Sequence, residues 1–394
     1  MLDYKVIDFD QHYYETDDCC TRLLDPKFRD RGVHIEDYEG ERAWFFGGEP
    51  LNFDRKPLDI VPKPGEMHRL RECQAQGIET QMDRMSAGDE PAFRDRDARL
   101  VKLDEFGVEA SVMFSSFFFE NEGARDPEAV CANLRAYNRW VEEDWGWNYK
   151  NRLFATASLT LIDLAFALDE LERVLKEGAR LILLRTGPIS GRSPADPYFD
   201  PFWARINEAG VPVVLHVSLS TYETKISHLW GEKTDATMAE FSAFQWYSCF
   251  MQRPIVDTLA SMIFSNLFGR FPKLKVLSIE NGSSWVPGFI HDIDHIMNFT
   301  NPITTTWSGG LLREKPSEVF KNHVYISPFF EPYYETPVDD LVELVGIDQL
   351  IFGSDWPHAE GKELPLNYLS DVSKLSEDHV RRFMRGNGRA LLGV

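Results

Sequence analysis

The sequence lacks the features that would place it in a membrane, a disulfide-stapled secreted scaffold or a nucleic-acid complex. It has no run of ~18 apolar residues, so no transmembrane helix is expected. Its opening, Met1-Leu2-Asp3-Tyr4-Lys5, has no basic region followed by a long apolar one, so no signal peptide is expected. Five cysteines (Cys19, Cys20, Cys73, Cys131, Cys249) are an odd number with no CxxC spacing. That argues against a disulfide framework and a cysteine-rich zinc site, and points to a reducing, cytoplasmic setting. No Lys/Arg stripe relieves the formal net charge of −21, which repels nucleic acid and anionic membranes. Internal repeats, low-complexity tracts and interdomain linkers are also missing.

Enough apolar residues are present, 43% of 394, to bury a large core. Eight short β-type runs recur along the chain: Lys5–Asp10, Val108–Phe114, Phe154–Thr160, Ala179–Leu184, Val211–Val217, Lys275–Glu280, His323–Phe329 and Leu350–Asp355. Helical periodicity falls between most of them, as in Leu164–Lys176, Pro254–Phe268 and Glu377–Leu392, with Asp163 and Ser376 as N-caps. Strand–helix alternation repeated eight times predicts parallel strands, and eight of them close a barrel. An open doubly wound sheet is the rival, but its glycine-rich first turn is absent. The expectation is an α/β protein with one (β/α)8 TIM barrel domain over residues 1–394. Two insertions, about 15–99 and 218–253, follow strands one and five. The second is dense in aromatics, among them Trp230, Phe244 and Trp246, and reads as a wall over a substrate site.

Strand ends carry the chemistry. In Val6-Ile7-Asp8-Phe9-Asp10-Gln11-His12, alternation puts Asp8, Asp10 and His12 on one face. A carboxylate and an imidazole two residues apart can grip one cation. Alone, such a pair is more often a strand cap. Three further strands also end in a metal-competent residue: His216, Glu280 and Asp355. An acid at the end of an apolar strand is costly to bury without a partner. Four such endings at one rim are a poor accident. Secondary candidates are Glu15, Glu331, His358 as a proton carrier, Arg185 as a bidentate partner for a substrate carboxylate, and Phe117–Phe119 as a pocket lining.

The series DFDQH, VVLHV, FPKLKVLSIENG and FGSDWPH, in this order, resembles the amidohydrolase-related family of metal-dependent hydrolases and decarboxylases. The resemblance covers essentially the whole chain. It implies a (β/α)8 barrel with metal ligands at strands one, five, sometimes six, and eight, here Asp10, His12, His216 and Asp355. Two positions depart from the usual pattern. Asp10 stands where His is frequent, and related decarboxylases carry Glu there. Glu280 stands where related decarboxylases carry a catalytic or metal-binding His, so Glu280 could bridge two metals, ligate one or act as an acid/base.

Three carboxylates with two imidazoles suit zinc, iron or manganese, one or two ions per chain. The leading expectation is a metal-dependent hydrolase that activates water against a small aromatic or apolar substrate. Asp355, Glu280 and His358 would be its catalytic groups, and Arg185, Phe244 and Trp246 its substrate contacts. A dinuclear iron monooxygenase on the same fold is the alternative, and a metal-dependent decarboxylase a further one. A barrel that has lost catalysis is a weaker, non-enzymatic reading. The expected partners are a small-molecule substrate and, as an open alternative, further copies of the chain in a homo-oligomer.

Overall fold

The computed structural model describes residues 2–51, 56–116, 126–218, 220–234, 236–250, 252–328 and 336–394. The chain divides into two compact units. The first comprises Met1–Phe118, Ala132–Thr156 and Ile351–Val394, and the second Phe119–Cys131 and Ala157–Leu350.

In the first unit, Val6–Tyr13 pairs in parallel with Val108–Ser115, which pairs in parallel with Leu153–Ala155. All of Val6–Tyr13 is buried, so its polar residues lie within the core. The run Ile351–Trp356 lies along the other edge of the first strand, where Phe9 N donates to Phe352 O, Asp355 N to Asp10 O and His12 N to Trp356 O, each at 2.8 Å. Gln11 and Trp356 form an isolated parallel bridge there, and on the opposite edge the register of the first strand against Val108–Ser115 shifts between Asp8 and Gln11. The bulge also breaks the expected alternation. Asp8 turns away from a ligand role and accepts from Gln11 Nε2 (2.8 Å), Ser354 N (2.9 Å) and Ser354 Oγ (2.6 Å). Its carboxylate thus satisfies a main-chain N–H that a regular ladder would have paired.

Part of the insertion after the first strand is ordered as small antiparallel pieces. The hairpin legible at 43–51 is there, with Phe45 opposite Pro50, and a further strand, Val33–Tyr38, joins it. The segment also packs on the end of the eighth run. Tyr14, Val61, Ala87, Ala92 and Phe93 form one apolar cluster with Trp356, and Gly65 N and Met67 N donate to the carbonyls of His358 and Ala359.

In the second unit, five strands run parallel in the order Val324–Ile326, Val276–Ile279, Val213–His216, Ile182–Leu184, Ala157–Ser158. Their residues are almost all buried, as expected where helices cover a parallel sheet. Helix Leu164–Lys176 has the bounds its periodicity predicts, and Asp163 caps it by accepting from Phe166 N at 2.8 Å. The helix expected over 254–268 is two, Gln252–Phe264 and Leu267–Arg270, because Asn266 adopts a left-handed backbone (φ 51°). Among the described residues no helix is long and apolar enough to cross a membrane. All five cysteines are free thiols.

Candidate metal centre

The first unit gathers Asp10, His12, Asp355 and His358 at the C-terminal ends of its strands. His12 Nε2 lies 3.3 Å from Asp10 Oδ1 and 3.4 Å from Asp355 Oδ1. His358 Nδ1 lies 2.8 Å from Asp355 Oδ1, and the two imidazole rings are 4.0 Å apart. His12 and Asp355 are fully buried, and Asp10 nearly so.

The tautomer of His12 follows from its other nitrogen. Nδ1 sits 2.8 Å from the Ser115 carbonyl oxygen, which can only accept, so Nδ1 carries the hydrogen. In the neutral ring the Nε2 lone pair then faces two carboxylates. Such a set repels itself unless a cation lies among the donors. Carboxylate oxygen and imidazole nitrogen are the donor chemistry of divalent metals, and a ligand histidine held by a main-chain carbonyl is a recurrent outer-shell arrangement. The donors therefore fit a divalent metal ion.

A second layer braces these groups. Arg99, fully buried, donates to the carbonyls of Ala92 (2.7 Å) and His12 (2.6 Å) and to Gln11 Oε1 (3.2 Å). Burial lowers its pKa to about 9. Burial likewise raises the Asp8 carboxyl to about 7, against the pull of its Ser354 and Gln11 hydrogen bonds. Glu15 accepts from Ser115 Oγ (2.6 Å) and Tyr137 Oη (2.8 Å), so it belongs to this bracing. The Ser115-Ser116 pair had no signal in the sequence, yet the Ser115 carbonyl holds His12 and the Ser116 hydroxyl lies 2.8 Å from His358 Nε2.

The second unit holds the other two predicted ligands. His216 Nε2 is 3.2 Å from Glu280 Oε2, and His216 Nδ1 lies 3.2 Å from the Val217 carbonyl. Asn281 Nδ2 donates to the carbonyls of Leu215 (2.8 Å) and Ile279 (2.9 Å), which ties the end of the Glu280 strand to that of the His216 strand. Glu280 (φ 56°) and Asp355 (φ 55°) are both non-glycine residues in the left-handed region. Each such residue costs of order 1–3 kcal/mol and persists where its surroundings hold it, a pattern concentrated at functional sites.

Arg185, after Ile182–Leu184, donates to the Pro188 carbonyl (3.3 Å), and its charge acts on Glu223. Trp246 lies between Phe241 and Phe250 and lines a cleft of about 390 Å³ with Tyr247, Phe250, Gln252, Arg253, Val256 and Trp285. Trp285 Nε1 donates to the Gly282 carbonyl at 2.9 Å, two residues from Glu280. Phe244 packs on Trp230 and is not part of that lining. Glu331 and Phe117–Phe119 lie outside the described residues.

A family profile described as amidohydrolase matches residues 67–394. The chain belongs to the amidohydrolase family. An amidohydrolase structure from Mycobacterium avium subsp. paratuberculosis K-10 is similar over 100% of both chains, with 34% identity and a TM-score of 0.87. The fold is thus the α/β barrel of that family. A 2-amino-3-carboxymuconate-6-semialdehyde decarboxylase of Dictyostelium discoideum is 24% identical over 313 residues, 76% of this chain and 77% of the relative. A dihydroxybenzoic acid decarboxylase from Polaromonas sp. JS666, with bound manganese and the inhibitor 2-nitroresorcinol, is 17% identical. It covers 99% of this chain and 97% of its own, with a TM-score of 0.61.

Proposed function

We propose that the protein is a metal-dependent decarboxylase of a small aromatic or conjugated carboxylic acid, with Asp10, His12 and Asp355 as ligands of its cation and His216 with Glu280 as a further metal-competent pair. The observation that carries this reading is the Asp355–His358 pair against His12, because loss of CO2 requires a proton at the vacated carbon. Support comes from the decarboxylases among its relatives. This ranks the further alternative of the sequence reading above hydrolysis.

The bound cation would supply positive charge to the substrate and its developing anion. His358, held between Asp355 and Ser116, stores the proton and hands it on. Arg185 receives the substrate carboxylate, and the cleft beside Trp246 and Trp285 takes its ring. A reducing cytoplasmic setting fits the five free thiols.

Hydrolysis is the second reading. It is favoured by Glu280, a carboxylate where related decarboxylases carry His. The carboxylate-rich donor set also suits a dinuclear iron oxygenase.

A panel of dihydroxybenzoates and carboxymuconate-type acids, incubated with manganese-, zinc- or iron-loaded protein, tests the proposal. Stoichiometric CO2 release from at least one acid is expected. Turnover of esters or amides without CO2 release from any acid would transfer the assignment to hydrolysis.

A further inference from the structure

Two guanidinium groups act on Tyr222 in the second unit. Tyr222 Oη donates to Asp257 Oδ2 at 2.9 Å, and Arg253 Nε donates to the same oxygen at 2.9 Å. Burial and the Asp257 carboxylate raise the Tyr222 phenol, while the charges of Arg253 and Arg185 pull it back, so both guanidiniums lie near it. Arg185 is the residue assigned above to the substrate carboxylate. Arg253 is held differently. Asp257 occupies its Nε, and among the described residues Nη1 and Nη2 have no hydrogen-bond partner. The two residues are four apart on helix Gln252–Phe264 and both exposed, an arrangement that contributes little to stability. It does fix the plane of the guanidinium and leaves the Nη edge for another acceptor. Arg253 lines the cleft of about 390 Å³, together with Trp246, Tyr247, Phe250 and Trp285. Gln252 Nε2 donates to Ser284 Oγ at 2.5 Å, and Trp285 Nε1 to the Gly282 carbonyl at 2.9 Å, which ties the cleft to the segment that follows Glu280.

We propose, on the carboxylic-acid reading given above, that the substrate carries a second acid group and that Arg253 is the residue that selects it. One carboxylate goes to Arg185, the ring lies against Trp246 and Trp285, and the second acid group takes the Nη edge of Arg253. A guanidinium edge meets a carboxylate with two parallel N–H···O bonds, which a neutral substituent of the same size cannot match. The chain carries a net charge of −21, so a dianion gains nothing from the long-range field. A preference for a diacid over a monoacid must therefore come from a local cation. Among the residues that line this cleft, Arg253 is that cation.

The probes are benzoate and the benzenedicarboxylate isomers, titrated by calorimetry into manganese-loaded protein. The isomers scan the spacing between two acid groups on one ring. At least one diacid should bind roughly 10-fold or more tighter than benzoate, the scale of hydrogen bonds to a charged group. Arg253→Gln should bring that ratio near one. Arg253→Lys should retain part of it, because an ammonium keeps the charge and loses the fork. Arg185→Gln should weaken benzoate and diacid together, which separates the roles of the two arginines. Urea midpoints of each variant distinguish a lost contact from a lost fold. Equal affinity for benzoate and every diacid in the unmutated protein overturns the proposal, and so does a ratio that survives Arg253→Gln. The ratio is read without turnover, so failure of the decarboxylase reading shows separately, as absence of CO2 from every acid.

Discussion

His12 donates its Nδ1 hydrogen to the carbonyl of Ser115 at 2.8 Å, so a residue of the neighbouring strand decides which nitrogen of the histidine faces the acids. With Nε2 between Asp10 and Asp355, removing one donor leaves the others clustered without their ligand geometry. His12→Ala and Asp355→Ala should each weaken metal binding by more than the ~10–100-fold typical of an outer-shell change. The barrel should remain folded, because neither side chain is part of the apolar core. Metal content by mass spectrometry, beside far-ultraviolet circular dichroism, checks both halves. Full occupancy in both variants would remove them from the ligand set.

Gly361 is placed so that a methyl group would strike the backbone that presents Asp355. A Cβ built there meets the Asp355 carbonyl oxygen at 2.3 Å and the Ser354 carbonyl oxygen at 2.9 Å. Neither atom is the end of a flexible side chain, so the strand end must move. Gly361→Ala should cost about 1–3 kcal/mol, the range of an overpacked interior, and should lower metal content as Asp355 shifts. Gly288 is the control. It lies inside helix Val286–Phe299 with nothing within 4 Å of its would-be Cβ. Gly288→Ala should stabilise by roughly 0.5–1 kcal/mol and leave metal content unchanged. Urea midpoints that fail to separate the two variants would contradict this reading of Gly361.

The candidate residues of both units were legible because they stand at the ends of apolar strands, where an acid or histidine is conspicuous. His216 ends VVLH, Glu280 follows the buried run Val276–Ile279, and Asp355 closes a stretch opened by buried Leu350, Ile351 and Phe352. The helix at Leu164–Lys176 was legible for a similar reason, since a strong periodicity and an Asp cap give the same bounds. Other features depend on register and tertiary contact. The bulge that turns Asp8 toward Ser354 has no composition signal, and strict alternation puts Asp8 with the ligands. Ser115 and Ser116 look like ordinary strand-end serines until the chain brings His12 and His358 against them. Strand Val33–Tyr38 is half exposed and rich in charge, so its pairing with Glu41–Phe46 decides its conformation more than its own sequence does.

Glu223 supplies a pH dependence that can be tested apart from the first unit's donors. Burial raises its carboxyl to about 7, and the charge of Arg185 offsets this only in part. The folded pKa therefore lies above the unfolded one. Between about 4.5 and about 7 the folded state binds more protons than the unfolded state at this site. Stability from Glu223 is fully present below that window and is lost as pH rises through it. The full span is on the order of 3 kcal/mol. Glu223→Gln should flatten the fall in unfolding free energy over this range and be the more stable form above it. Parallel slopes for the two proteins in pH-resolved urea titrations would refute the assignment.

Glu280 distinguishes the reactions that this donor set could serve. It sits 3.2 Å from His216 Nε2 on a left-handed backbone held by Asn281, so a change of its charge need not move its neighbours. Glu280→Gln keeps the shape and removes the charge. If Glu280 ligates a single cation in a decarboxylase, the variant should bind that metal more weakly, and excess manganese should restore part of the CO2 release. If Glu280 serves as the acid/base of a hydrolase, metal content should stay unchanged while turnover falls by roughly 100-fold or more, and the incorporated oxygen should come from water. If two irons are present, the metal count per chain should fall, and the unmutated protein should consume O2 when reduced. Metal stoichiometry, CO2 release and oxygen-18 incorporation, measured on both proteins, separate the three. CO2 release that survives Glu280→Gln with metal content intact would take Glu280 out of the decarboxylation machinery and leave the proton chemistry to His358 and Asp355.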